Sequence, residues 1–144
     1  MVEAVKHNRG YPVTMIAALT NEGMRAMMTI EGGTSGDVFV AWLEHFLLPE
    51  LPVDALVVMD NLAAHKDKRV HDLLHTVGAK AIYLPPYSPT FNPIELAWAK
   101  LKYWIRTARP TCHDTLDDAI AWSLDLITQA DSAAWFRHCG WATP

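Results

Sequence analysis

Apolar residues recur along this chain in two periods, and the changes between them mark out the elements. Residues 12–19 are a run of strand formers closed by the turn Thr20-Asn21-Glu22-Gly23, and residues 24–31 alternate loosely before Gly32-Gly33. Together they predict an antiparallel hairpin over about 12–31. Past Ser35, a capping residue, Val38, Phe39, Trp42, Leu43, Phe46 and Leu47 recur at helical spacing until Pro49. That helix leads back to an apolar strand over 55–60, which ends in Asp60. A second helix, about 67–77, stops at Gly78, which suits the left-handed turn after a helix, and 79–84 predicts the next strand. Strand, helix, strand at this spacing implies a parallel pair joined by a right-handed crossover.

The segment 85–92 carries Pro85, Pro86 and Pro89, so it predicts a stiff, extended loop ahead of a helix opening at Pro93. Ile94, Ala97, Trp98, Leu101, Trp104 and Ile105 share one face of that helix, with lysines on the other. A last helix over about 114–129 and a helical piece over 132–138 complete an α/β chain with helices packed on a mixed sheet.

At 144 residues the chain forms one domain, 1–144, long enough to bury roughly two-thirds of its unfolded surface. No stretch approaches the roughly 18 uninterrupted apolar residues of a membrane span. The start lacks the basic residues and apolar block of a secretory signal. Cys112 and Cys139 have no partners at metal-site spacing and read as reduced thiols of a cytoplasmic protein. A formal net charge of −4 argues against a dedicated nucleic-acid-binding module. The distribution says more: Lys66, Lys68, Arg69, Lys100, Lys102, Arg106 and Arg109 all follow closely on either Asp60 or Glu95. Two local basic patches flanking an acidic pair suit a site that handles phosphates.

That acidic pair is the candidate chemistry. A carboxylate at the tip of a buried strand needs a partner there. A second one, a strand and a helix later, could share with it a divalent cation set against a phosphodiester. Glu95 has a structural alternative, because Asn92-Pro93-Ile94-Glu95 has the form of a capping box. His71 and His75, one helical turn apart with Asp72 between, approximate a zinc-hydrolase pattern, but no third ligand follows and an amphipathic helix accounts for them better.

Three segments carry a resemblance: Asp60-Asn61-Leu62-Ala63-Ala64-His65-Lys66, then Tyr83-Leu84-Pro85-Pro86-Tyr87-Ser88-Pro89, then Asn92 through Lys102. They resemble the catalytic domain of DDE-type insertion-sequence transposases of the mariner-like branch. The resemblance implies a ribonuclease H-like fold, with Asp60 and Glu95 as catalytic, metal-binding carboxylates and Mg²⁺ or Mn²⁺ as cofactor. It implies DNA, both transposon ends and target, as partner, in the bacterial cytoplasm at the nucleoid. Asn61, His65, Lys66, Tyr87, Ser88, Asn92, Lys100 and Lys102 become candidates for contacting DNA or supporting the metal ligands. The family uses a third acid on the strand before the hairpin. Residues 2–5 align instead with the segment leading into the hairpin, so Glu3 is not taken for that acid, and the first strand and its acid are expected upstream of Met1. Such a truncated domain would be inactive alone, or a catalytically silent interaction or weak DNA-binding remnant. It would close its sheet by drawing the hairpin onto the 55–60 strand, or by borrowing a strand from a second copy in a homodimer.

Overall fold

The computed structural model describes residues 2–7, 13–110 and 113–141, with the main chain alone for 2–7, 89, 113 and 114. Five strands form one mixed sheet: β1 (Val2–His7), β2 (Val13–Thr20), β3 (Gly23–Glu31), β4 (Leu56–Met59) and β5 (Lys80–Tyr83), in the order β3-β2-β1-β4-β5. β2 pairs antiparallel with β3, as the hairpin pattern predicts, and β4 runs parallel to β5. The expectation that the sheet lacks its first strand is corrected here. Residues 2–7 form the central strand, paired antiparallel with β2 from Val2↔Ala18 to His7↔Val13. Glu3 and Lys6 interrupt the apolar pattern that identifies a buried strand from sequence, yet main-chain pairing needs no such pattern. The hairpin therefore does not lie directly against β4. β1 meets β4 in parallel, with Val2 opposite Met59 among the described residues.

The helices cover both faces. α1 (Gly36–Trp42) starts where the Ser35 side chain accepts from the Val38 N–H, as expected, and continues through a wider π turn over Leu43–Leu47. α2 (Lys68–Thr76) is capped by Asp67 and ends before Gly78, whose φ of +73° bears out the left-handed turn. α3 (Pro93–Ala108) is the longest helix, and α4 (His113–Asp125) and α5 (Gln129–His138) follow it. The last two divide at a place the periodicity misses: Thr128 and Asp131 form a reciprocal capping box, with Asp in place of the usual Glu.

Strand alternation sorts the core into two layers. Val13, Met15, Ala17 and Leu19 of β2, with Val58 of β4, pack against Ile94, Ala97, Trp98, Leu101 and Ile105 of α3 and Leu116 and Ile120 of α4. Ile16 and Ala18, with Val57 and Met59, pack against Phe39, Trp42 and Leu43, and against Val70 and Leu74 of α2. Each large side chain so buried stabilises the fold by about 1.5–3 kcal/mol. Trp42 also donates its indole N–H to the Ala26 carbonyl at 2.7 Å, at a residue whose φ is +56°. Ala26 lies where the β2–β3 register shifts.

Candidate active site

Asp60 follows β4 directly. Its neighbours alternate, Val58 toward the α3 layer and Val57 and Met59 toward the α1 and α2 layer, so the next position falls on the side that α3 covers. The Asp60 carboxylate accepts from the Leu62 N–H at 3.0 Å and lies 2.8 Å from His65 Nδ1. The His65 approach falls outside ideal hydrogen-bond geometry. His65 is buried, stacked on Phe39 at a centroid distance of 4.6 Å, and its carbonyl accepts from the Tyr83 hydroxyl at 2.6 Å. Burial pushes the Asp60 carboxyl up, but His65 and the Leu62 amide outweigh it, and the group is held below the usual carboxylate range. Asp60 is thus an anion at neutral pH, fixed in orientation by a buried ring.

Glu95 arrives on the first turn of α3. The loop before it is stiffened by its prolines and pinned at two points: Asn61 Nδ2 donates to the Leu84 carbonyl at 2.5 Å, and the Trp141 indole donates to the Phe91 carbonyl at 2.7 Å. The capping box expected here does not form. Asn92 occupies the N-cap position without a side-chain cap bond, and its Oδ1 is buried without a hydrogen-bond partner. Glu95 is therefore not engaged in reaching back to the cap. Asp60, Asn61, Tyr87, Ser88, Asn92 and Glu95 all border one cleft of about 190 Å³, so the two carboxylates are on the same face of the sheet. Tyr87 stands fully exposed at its rim with φ +57°.

The other candidates divide. Lys66 is exposed at the end of the short 3₁₀ turn that carries His65, while Lys100 and Lys102 lie on α3 away from the cleft lining. Lys100 is committed to Asp131 at 2.5 Å, tying α3 to α5. Arg69 is held by Asp37 at 2.7 Å and Asp67 at 2.9 Å. These pairings correct the picture of two open basic patches: long-range partners on other elements neutralise part of each, which local spacing does not reveal. His71 faces the Tyr83 hydroxyl at 3.4 Å. Among the described residues no group of three His, Cys, Asp or Glu is placed to hold a metal ion, which leaves the zinc-hydrolase pattern without support. Because Val2 pairs with Met59, the main chain of Glu3 lies level with Asp60 on the neighbouring strand, a proximity sequence spacing alone did not suggest. Cys139 is a buried free thiol, and burial raises its pKa; Cys112 lies outside the described residues.

Comparison with known proteins agrees with this architecture. Residues 2–117 match the family described as DDE superfamily endonuclease, and the chain belongs to that family. Among solved structures, the Mos1 transposase catalytic domain with raltegravir and manganese superposes with a TM-score of 0.79 at 12% identity, covering 96% of this chain and 75% of that one. The catalytic core of BIV integrase gives 0.64 at 16% identity, covering 85% and 78%. A simian T-cell lymphotropic virus intasome gives 0.63 at 13% identity, with 83% of this chain and 45% of that chain covered. These establish a ribonuclease H-like transposase and integrase fold. A search of curated proteins found no match.

Proposed function

We propose that this domain binds Mg²⁺ or Mn²⁺ between Asp60 and Glu95 and acts on DNA, cleaving and transferring strands at a phosphodiester. The observation that carries the reading is the convergence of two carboxylates, from separate elements, on one cleft with a buried amide oxygen that has no partner. That donor set, two carboxylates and an amide oxygen, is the oxygen-rich kind a hard divalent cation takes. Structures of the Mos1 domain determined with manganese and with magnesium support the choice of ion. When bound, the ion would supply charge to activate an attacking oxygen and stabilise a leaving one. Asp60 would hold it in an orientation fixed by His65, and Glu95 would close on it from α3. Asn92 Oδ1 would gain a partner, directly or through water. Asn61, by its bond to Leu84, holds the cleft wall, while Ser88 and the exposed Tyr87 ring would meet the nucleic acid.

The reading extends to a domain with little cleavage activity by itself, with Asp60 and Glu95 the acids that line the cleft among the described side chains. Work on DNA in the cytoplasm belongs to the same proposal, as does pairing of two copies at it. Titration of Mn²⁺ followed by thermal unfolding tests the site. Saturation at about 100 times Kd would stabilise the chain by about 2.7 kcal/mol. Asp60→Asn and Glu95→Gln should each remove that gain and His75→Ala should keep it. An undiminished shift in Asp60→Asn would leave the silent-remnant reading. Mn²⁺-dependent nicking by the pure chain, lost in both Asp60→Ala and Glu3→Gln, would make Glu3 the third acid.

A further inference from the structure

The loop from Asp60 to the start of α2 carries the fixed carboxylate of the cleft, yet it has little regular structure of its own. Its ordered part is a single 3₁₀ turn over Ala63–Lys66, which no side chain caps. The end of β5 braces it at three points. Tyr83 pairs with Met59, and the Leu84 N–H donates to the Met59 carbonyl at 2.8 Å, which fixes the near end of the loop. Asn61 Nδ2 donates to the Leu84 carbonyl at 2.5 Å. The Tyr83 hydroxyl donates to the His65 carbonyl at 2.6 Å, which fixes the far end. Tyr83 therefore closes a ring. Its main chain meets the residue before Asp60, and its phenol meets the residue whose imidazole lies 2.8 Å from the Asp60 carboxylate. Burial raises the pKa of that phenol, so it keeps the proton it donates. The same oxygen faces exposed His71 Nε2 at 3.4 Å, a longer and weaker contact.

We propose that Tyr83 is a positioning residue for the metal site: its hydroxyl seats His65, and His65 in turn orients the Asp60 carboxylate. The role rests on the reading of Asp60 as a metal ligand and falls to a residue outside the cleft lining. The other restraints on His65 leave this one to be filled. Phe39 holds the face of the imidazole but bonds neither of its nitrogens, so the reach of Nδ1 toward Asp60 follows from where the main chain of residue 65 is pinned. The His65 N–H bonds to the Leu62 carbonyl within the same short turn, and so does not tie that turn to the sheet. The Tyr83 hydroxyl does. Its ring packs separately, in the layer formed with α1 and α2, and phenylalanine would keep that packing while removing the tether.

A double-mutant cycle on the full chain tests this, with Mn²⁺ affinity read from the electron paramagnetic resonance of the free ion. Tyr83→Phe should fold and weaken Mn²⁺ binding by about tenfold, the low end of what groups supporting a metal ligand cost. His65→Ala should weaken it at least as much. In the His65→Ala background, Tyr83→Phe should then change affinity by less than about twofold, because the residue through which it acts is gone. Equal losses in the two backgrounds would overturn the proposal, as would an unchanged affinity in Tyr83→Phe. A second readout needs no metal: the carbon-13 shift of the Asp60 carboxylate in the free chain at neutral pH. It should move in the same direction in Tyr83→Phe and His65→Ala, and no further in the double variant. An Asp60 shift unmoved by Tyr83→Phe would overturn the positioning role. A wild-type chain that takes up no Mn²⁺ would instead sink the metal site, and the shift alone would then decide whether Tyr83 orients Asp60.

Discussion

Asp60 and Glu95 reach the same cleft from supports that are held very differently. Glu95 rides on a helix with Ile94, Ala97, Trp98, Leu101 and Ile105 buried beneath it, yet no hydrogen bond fixes its own carboxylate among the described contacts. Asp60 tips a four-residue strand, paired along its length with β5 and, among the described residues, with β1 at Met59 alone, while its carboxylate is fixed by a buried histidine and a backbone amide. A long helix carries an adjustable ligand, and the end of a short strand carries a fixed one. The cleft can thus keep one oriented anion at all times and let the other adapt to what enters.

The comparison fails first if α3 is not the firm support. Trp98→Ala should cost about 3–5 kcal/mol in urea unfolding, the usual range for emptying a buried indole site. A loss below about 1 kcal/mol would mean that the helix floats on its core. His65→Ala should cost less, about 1–3 kcal/mol, but should act on Asp60 directly. Asp60 has a depressed folded pKa, so its contribution is present above the ordinary carboxylate value and is lost as pH falls through the folded one. Carbon-detected titration should show that pKa rising in His65→Ala, with the acid limb of the stability curve flattened. An unmoved Asp60 titration would show that Leu62 alone holds the carboxylate.

What the sequence made legible divides along the same line. The hairpin, the parallel pair, α3 and both carboxylates follow from local pattern and turn chemistry, because each of those segments carries its own period or cap. β1 does not, because a six-residue strand with charges at Glu3 and Lys6 is recognisable only once its neighbours offer it a ladder. The pairings of Arg69 with Asp37 and of Lys100 with Asp131 were equally out of reach, since each joins positions more than thirty residues apart. Asn92 shows the reverse: the motif for a capping box is present, and the side chain does not make the bond.

Two smaller effects sharpen the contrast. Asn92→Ala should alter stability without metal by less than about 0.5 kcal/mol, where removal of a working N-cap costs about 1 kcal/mol, while weakening Mn²⁺ binding. A full cap-sized loss would restore the capping role. Asp67, held by Arg69 with its pKa lowered to about 2, supports the start of α2. Its folded pKa is depressed from 3.8, so its contribution is complete above that value and declines as pH falls toward about 2. Asp67→Asn, which can still cap, should lose only this pH dependence, read as the slope of melting temperature between pH 4 and 2.

The ion pairs that bind α3 to α5 and α2 to the start of α1 also set how the domain would respond to ionic strength. Each cation that neutralises a phosphate displaces condensed counterions, steepening the fall of log K with log salt by about 0.9. Lys100 and Arg69 already spend their charge on Asp131, Asp37 and Asp67. If the domain acts on DNA as proposed, that association should weaken only gently as salt rises, with a slope smaller than its twelve cationic residues would suggest.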